Sequence, residues 1–267
     1  MVSLYNGGIY SKGLKNPYTR RGGVYSRFPN TSTFSPSSIA GLQLWLDGAD
    51  TATITQAANA VSQWSDKSGL GNHATQAVGA NQPLTNTDTI NGKNVIKFDG
   101  AGDGLILPSS LYSTLPNGDN SVFIVFKSGN SGDASQALMT GQIASTGTRY
   151  AAYITTTLFE VQNRNTSNLF TTMNDARDTS VKIAGFLRGG VNISPFVNGI
   201  KGTAGTNSEN TSALVSLMIG TQVNTVNDRF LGDIAEIIAY NSMLSDSNAN
   251  LVGNYLKNKW SSTWTGF

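Results

Sequence analysis

From Leu42 to Tyr240 the sequence is a succession of short apolar runs, each closed off by Gly, Asn, Ser, Thr or Asp. Runs this short cannot build helices of ordinary length, and the residues between them supply turns, so the pattern predicts strands. The predicted strands span 42–46, 61–64, 94–98, 104–107, 122–127, 137–140, 149–154, 158–162, 180–187, 194–197, 216–219 and 230–240. Val122, Phe123, Ile124, Val125 and Phe126 form an unbroken apolar run, as expected of a strand buried on both faces. Asn198-Gly199 between Val197 and Ile200 is a hairpin signal. Segments 84–90 and 199–210 read as loops.

A single segment has helical character. Ser245 is placed to cap it, Leu251, Tyr255 and Leu256 share a face, and Lys257 and Lys259 sit in its last turn. Gly253 weakens it by about 1 kcal/mol relative to Ala. Trp260 and Trp264 are expected to clamp it to the sheets. A dozen strands and one terminal helix predict an all-β fold, a two-sheet antiparallel sandwich. No linker interrupts the body, which reads as one domain over 39–267 behind an extended basic arm over 1–38.

Composition removes several chemistries. The 267 residues include no Cys and one His, which excludes disulfides, thiolate metal sites, thiol catalysis and a His-based zinc cluster. Only 13% of residues are charged, against roughly 25% in an ordinary domain. No apolar run has the roughly 18–20 residues that span a bilayer, and the N-terminus lacks a run of signal-peptide length. No membrane partner and no Sec export are expected.

The arm is a different kind of sequence. Residues 1–34 hold five basic residues, no acidic one and four of the nine tyrosines. Gly7-Gly8-Ile9-Tyr10-Ser11-Lys12 returns fifteen residues later as Gly22-Gly23-Val24-Tyr25-Ser26-Arg27. Paired glycines free the backbone, a β-branched residue and Tyr favour extension, and the base supplies a charge-assisted hydrogen bond. Such a segment suits addition to another subunit's sheet edge. The candidate partner-binding residues are therefore Tyr10, Lys12, Arg20, Arg21, Tyr25 and Arg27. Five bases over 34 residues are thin for nucleic acid, which is not the expected partner.

Four stretches of the body resemble a known superfamily. They begin at Ile39-Ala40-Gly41-Leu42-Gln43-Leu44-Trp45-Leu46-Asp47 and Trp64-Ser65-Asp66-Lys67-Ser68-Gly69-Leu70-Gly71-Asn72-His73. They continue at Ile90-Asn91-Gly92-Lys93-Asn94-Val95-Ile96-Lys97-Phe98-Asp99-Gly100 and Gly232-Asp233-Ile234-Ala235-Glu236-Ile237-Ile238-Ala239-Tyr240. Together they resemble the concanavalin A-like jelly rolls of the laminin G-like, or pentraxin-type, superfamily over about residues 39–260. The resemblance implies a concanavalin A-like jelly-roll sandwich and, because that fold hosts many roles, leaves function to be argued from sites.

Enzymatic readings fail on residue counts. Retaining glucanases of this fold place two carboxylates roughly 5–5.5 Å apart through a Glu-x-Asp-x-x-Glu strand. Here the only Glu residues are Glu160, Glu209 and Glu236, followed two positions on by Gln162, Thr211 and Ile238. His73 lies inside a fold motif and reads as a loop histidine bonded to backbone, and Glu236 reads as a paired charge. No catalytic residue, resident cofactor or metal is expected. The resemblance raises Ca²⁺, for which Asp47, Asp50, Asp66, Asp99 and Asp103 offer hard oxygens, without EF-hand spacing.

Two functions follow as expectations. The main one is a non-enzymatic bacteriophage virion structural protein, a capsid decoration or head or tail appendage present in many copies. The arm would hold it to capsid or tail subunits, and it would reach the virion from the host cytoplasm without export. The alternative is a carbohydrate-binding, lectin-like adhesion module for cell-surface glycans, with Tyr112, Tyr150 and Tyr153 as candidate aromatic platforms.

Overall fold

The structure is a computed structural model that describes residues 20–21, 24–25, 34–130, 133–142, 149–164, 170–175, 177–206, 214–221 and 228–267. The chain divides into two units, 1–33 and 34–267. In the first, Arg20–Arg21 pairs antiparallel with Val24–Tyr25, Arg20 opposite Tyr25. Tyr10, Lys12 and Arg27, named as arm residues from the sequence, lie outside the described residues.

The second unit starts earlier than the sequence boundary at Ile39. The Phe34 ring meets the Tyr255 ring edge-on at 5.9 Å, and buried Pro36 accepts a 3.0 Å hydrogen bond from the Tyr240 hydroxyl. Residues 34–38 therefore pack on the body. The polar spacing that made them read as arm conceals an aromatic and a proline that anchor the chain.

The body is the antiparallel sandwich that the alternating runs predict. Its strands are β1 (Leu42–Asp47), β2 (Ile54–Ala57), β3 (Ala60–Trp64), β4 (Ala74–Thr75), β5 (Ile96–Asp99) and β6 (Leu105–Leu107). After the one-turn helix α1 (Ser109–Tyr112) come β7 (Asn120–Ser128), β8 (Ser135–Gln142), β9 (Arg149–Thr155), β10 (Leu158–Arg164) and β11 (Phe170–Asn174). Then follow β12 (Val181–Gly189), β13 (Asn192–Val197), β14 (Ile200–Lys201), β15 (Gly205–Thr206), β16 (Ser216–Ile219) and β17 (Leu231–Tyr240), and finally α2 (Asp246–Trp260).

Among the described residues the larger sheet runs β11-β10-β9-β8-β16-β6-β4-β3-β2. The smaller runs β14-β13-β12-β7-β17-β1, with β15 beside β13 and β5 beside β17. The first strand of the body pairs with the last: Leu46 faces Ile237 and Leu44 faces Ala239. The central strand β7 is buried on both faces, as its unbroken apolar run requires. Val122, Ile124 and Phe126 enter the core between the sheets, while Phe123 and Val125 enter a second core beneath α2.

That second core makes the molecule three layers deep. Ser245 accepts the backbone N–H of Asn248 and caps α2, and Ala249, Val252, Leu256 and Trp260 face the smaller sheet. Gly253 is required by packing. A Cβ there would stand 2.0 Å from the Trp264 indole, which lies over the helix and stacks edge-on with Phe196. The Asn198-Gly199 hairpin joins β13 to β14 with both residues at positive φ, and Val197 pairs with Ile200. The segment 199–210, read as a loop from sequence, contains the two short strands β14 and β15. Edge strand β11 escaped the sequence reading because Phe-Thr-Thr-Met-Asn has no apolar alternation to betray it. Among the described residues no helix is long and apolar enough to cross a membrane.

Candidate functional site

The densest polar cluster is a structural lock. Glu236 projects from β17 toward α2 and is fully buried. It accepts the indole N–H of Trp45 at 2.7 Å, that of Trp260 at 2.6 Å and the Tyr255 hydroxyl at 2.9 Å, and pairs with Lys259 at 2.8 Å. Lys259 reaches on to Asp47 at 2.5 Å, and Lys67 joins Asp47 at 2.8 Å to Asp50 at 2.7 Å. Burial raises the Glu236 carboxyl above its ordinary range despite Lys259. Burial acts the same way on Asp47, but Lys259 and Lys67 together outweigh it and hold that carboxyl low. Glu236 is the paired charge its position in the strand motif suggested. Its oxygens are engaged by the fold itself, leaving no acceptor for a substrate.

The carboxylates weighed for Ca²⁺ separate into local roles. Asp47 and Asp50 are tied to lysines. Asp66 accepts the backbone N–H groups of Trp45, Ser68 and Asn72 at 2.9–3.0 Å and the Ser68 hydroxyl at 2.6 Å, so it organises its turn. His73 takes the Asp66 backbone N–H on Nδ1 at 3.0 Å, as the sequence reading expected. Asp99 caps the turn that follows it, and the N–H groups of Ala101, Gly102 and Asp103 overcome burial to keep its pKa low. Asp103 accepts the Asp99 N–H at 3.0 Å, and burial beside the Asp99 charge lifts it to about 6. Among the described residues no group of three or more His, Cys, Asp or Glu is gathered for a metal.

A second polar cluster lies on the outer face of the larger sheet, where Tyr153, Ala151, Ala137 and Thr140 are buried. Tyr150, Ala152 and Ile154 of β9 enter the core, so Ala151 and Tyr153 point the other way. Register then assembles rows across that face. Thr172, Glu160, Tyr153 and Ala137 form one row. Gln162, Ala151, Thr140, Met218, Ile106, Thr75 and Gln63 form the next. Gln142 and Ser216 lie opposite one another in a third, which continues in register to Arg149 and Arg164.

These groups are unevenly satisfied. The Gln162 amide donates to Glu160, and Thr140 donates to the Thr221 carbonyl at 2.7 Å. Three side-chain oxygens, Oε1 of Gln142, Oε1 of Gln162 and Oγ of Ser216, are buried with no partner among the described residues. An unpaired buried polar atom costs free energy, and this face carries three of them. Tyr153 stands among them with Ala137 and Ala151 as an apolar cluster separate from the main cores.

The three tyrosines weighed as platforms part company. Tyr150 is a core residue: its ring meets Phe186 at 5.6 Å and its hydroxyl donates to buried Asn120 at 3.0 Å. Tyr112 packs half-buried against the same core. Tyr153 alone of the three lies on the outer face of the large sheet. Gln142, Gln162 and Ser216 were missed from sequence. A signal existed in β10, where apolar Phe159 and Val161 alternate with Glu160 and Gln162 and so announce a polar face. The bulge between Ala137 and Met139 hides the same alternation in β8.

No protein-family model matches the sequence, and the search of curated proteins also returns no match. Solved structures do match. The CBM40 of the Ruminococcus gnavus IT-sialidase, bound to α2,3-sialyllactose, superposes with a TM-score of 0.51 at 20% identity, over 60% of this chain and 95% of that one. A Trypanosoma rangeli sialidase in complex with sialic acid gives 0.61 at 13% identity, over 84% of this chain and 34% of that one. The binding domain of botulinum neurotoxin serotype D/C gives 0.57 at 13% identity, over 86% and 56%. The fold shared with these structures is a two-sheet antiparallel β-sandwich. The two-sheet sandwich expected from the four sequence motifs is thus the fold found, and at these identities the likeness is one of fold.

Proposed function

We propose that the chain is a non-enzymatic carbohydrate-binding module that holds a glycan on the outer face of its larger sheet. The observation that carries this reading is the set of unpartnered buried oxygens of Gln142, Gln162 and Ser216 on the sheet face that also carries Glu160. A sugar presents hydroxyls that donate to such oxygens. Neighbours of the same fold support the reading: one is bound to sialyllactose and one to sialic acid.

A non-enzymatic role fits the carboxylates, since Glu236 is locked and Glu160 is engaged by the Gln162 amide. The virion-appendage role rests on the repeated basic arm, the low charge and the single sandwich domain, and the structural neighbours support glycan binding better. A glycan array probed with the purified chain tests the proposal. Binding to a defined glycan class, abolished by Glu160→Ala and Gln162→Ala with unchanged melting temperature, is expected. An array without hits at high protein concentration overturns it.

A further inference from the structure

On the smaller sheet, Asp233 of β17 stands in register between Lys97 of β5 and Lys127 of β7. Ile234, next along β17, enters the inter-sheet core, so this row lies on the sheet's outer side. Asp233 is 5% exposed, and its Oδ1 has no hydrogen-bond partner among the described residues. The residue lines a cavity of about 300 Å³ together with Asp88, Lys97, Lys127, Ser128 and Thr179. Lys97 reaches Asp88 at 3.4 Å, and Lys127 makes no ion pair among the described residues.

A buried carboxylate oxygen without a partner, on a residue that lines a cavity, calls for a donor. The surroundings decide which kind. A bare cation would meet two ammonium groups, and a bare anion would meet two carboxylates. An alcohol both donates and accepts, so adjacent hydroxyls satisfy Asp233 and the lysines together. The volume sits at the lower end of the roughly 300–1,000 Å³ of small-molecule sites, which suits one ring. Two further hollows share its walls. One, bounded by Gly129, Asn130 and Thr179, encloses about 310 Å³, and the other, bounded by Asn86, Asp88 and Asn94, about 510 Å³. A longer chain could leave the cavity in either direction.

We propose that the Asp233 cavity is a second saccharide site, which takes a neutral pyranose through vicinal hydroxyls held by Asp233 and Lys127. It lies on the other sheet from the Tyr153 face and does not depend on that reading. The test is an amide-resolved NMR titration of the full chain with methyl α-pyranosides of the gluco, manno and galacto series. Ribitol, inorganic phosphate and Ca²⁺ serve as separate probes.

The expected result is a saturable shift of the 97, 127–129 and 232–233 amides with at least one pyranoside at millimolar concentration. Asp233→Leu and Lys127→Met should each weaken it at least tenfold, while Glu160→Ala leaves it unchanged. The proposal is overturned if no pyranoside shifts these amides, if the response survives both substitutions, or if only ribitol, phosphate or Ca²⁺ produces it. Loss of array binding in Glu160→Ala with this titration intact separates the two sites.

Discussion

The Trp260 indole of α2 donates a 2.6 Å hydrogen bond to Glu236 of β17, across the seam between helix and sheet. Trp45, Tyr255 and Lys259 point at the same carboxylate, so one side chain ties strand β1 and helix α2 to strand β17. Replacing Glu236 by Ala would leave the Trp45 and Trp260 indoles and the Tyr255 hydroxyl without their acceptor, and Lys259 paired with Asp47 alone. The expected loss is about 3–5 kcal/mol of unfolding free energy, read as a lower midpoint in urea. Glu236→Gln keeps part of the hydrogen bonding and should fall between.

Gly253→Ala opposes two terms of known sign. Helix propensity favours Ala by about 1 kcal/mol. The Trp264 indole occupies the space a methyl group would need, with ring atoms at 2.0–2.4 Å. Overpacking of this kind costs about 1–3 kcal/mol, so the substitution should destabilise or leave stability level, never raise it by the full propensity gain. Trp264→Leu combined with Gly253→Ala should recover part of the loss, which a double-mutant cycle in thermal unfolding would show.

Acid should stabilise this protein before it unfolds it. Burial and the neighbouring Asp99 raise Asp103 to about 6, and burial with Asp88 raises Asp233 to about 6, against an ordinary 3.8. Between those values the native state binds more protons than the unfolded chain, so unfolding free energy falls as pH rises through that window. Asp103→Asn should therefore gain roughly 1–2 kcal/mol over wild type at pH 7.5 and nothing at pH 4. At still lower pH, stability from Asp47, Asp88, Asp99 and Asp178 is lost, since their folded pKa values lie below the ordinary one. Denaturant midpoints measured from pH 3 to 8 should pass through a maximum near 4–5.

Removal of residues 1–33 should leave a folded domain, because the body begins with Phe34 against Tyr255. The melting temperature should hold within a few degrees. A further cut to residue 39 removes Phe34 and Pro36 and should lower it, since the buried Tyr240 hydroxyl then loses its acceptor. If the shorter deletion also abolishes assembly into particles while glycan binding persists, the arm carries the partner contacts.

Strand positions were legible because burial on one face imprints a period of two, and the Asn198-Gly199 hairpin because few residues tolerate positive φ. The Ser245 cap and the clamp by Trp260 and Trp264 were equally readable. Edge strand β11 was not, since its mostly polar sequence shows no apolar alternation on a strand with one neighbour. The candidate site was harder. Gln142, Gln162 and Ser216 become a surface only when register brings three strands together, and no local spacing encodes that. Tyr150 and Tyr153 differ by three positions and look alike in sequence, yet one fills the core and the other the outer face.

The pairing of Leu46 with Ile237 has a consequence for synthesis. Strand β1 emerges from the ribosome early and waits for a partner made almost last, while β7 too must wait for β17. The smaller sheet cannot close on a nascent chain, so collapse of its hydrophobic strands must be held in check until translation finishes. Premature termination anywhere before β17 would leave an open, aggregation-prone sheet edge, which makes solubility itself a report of full-length translation.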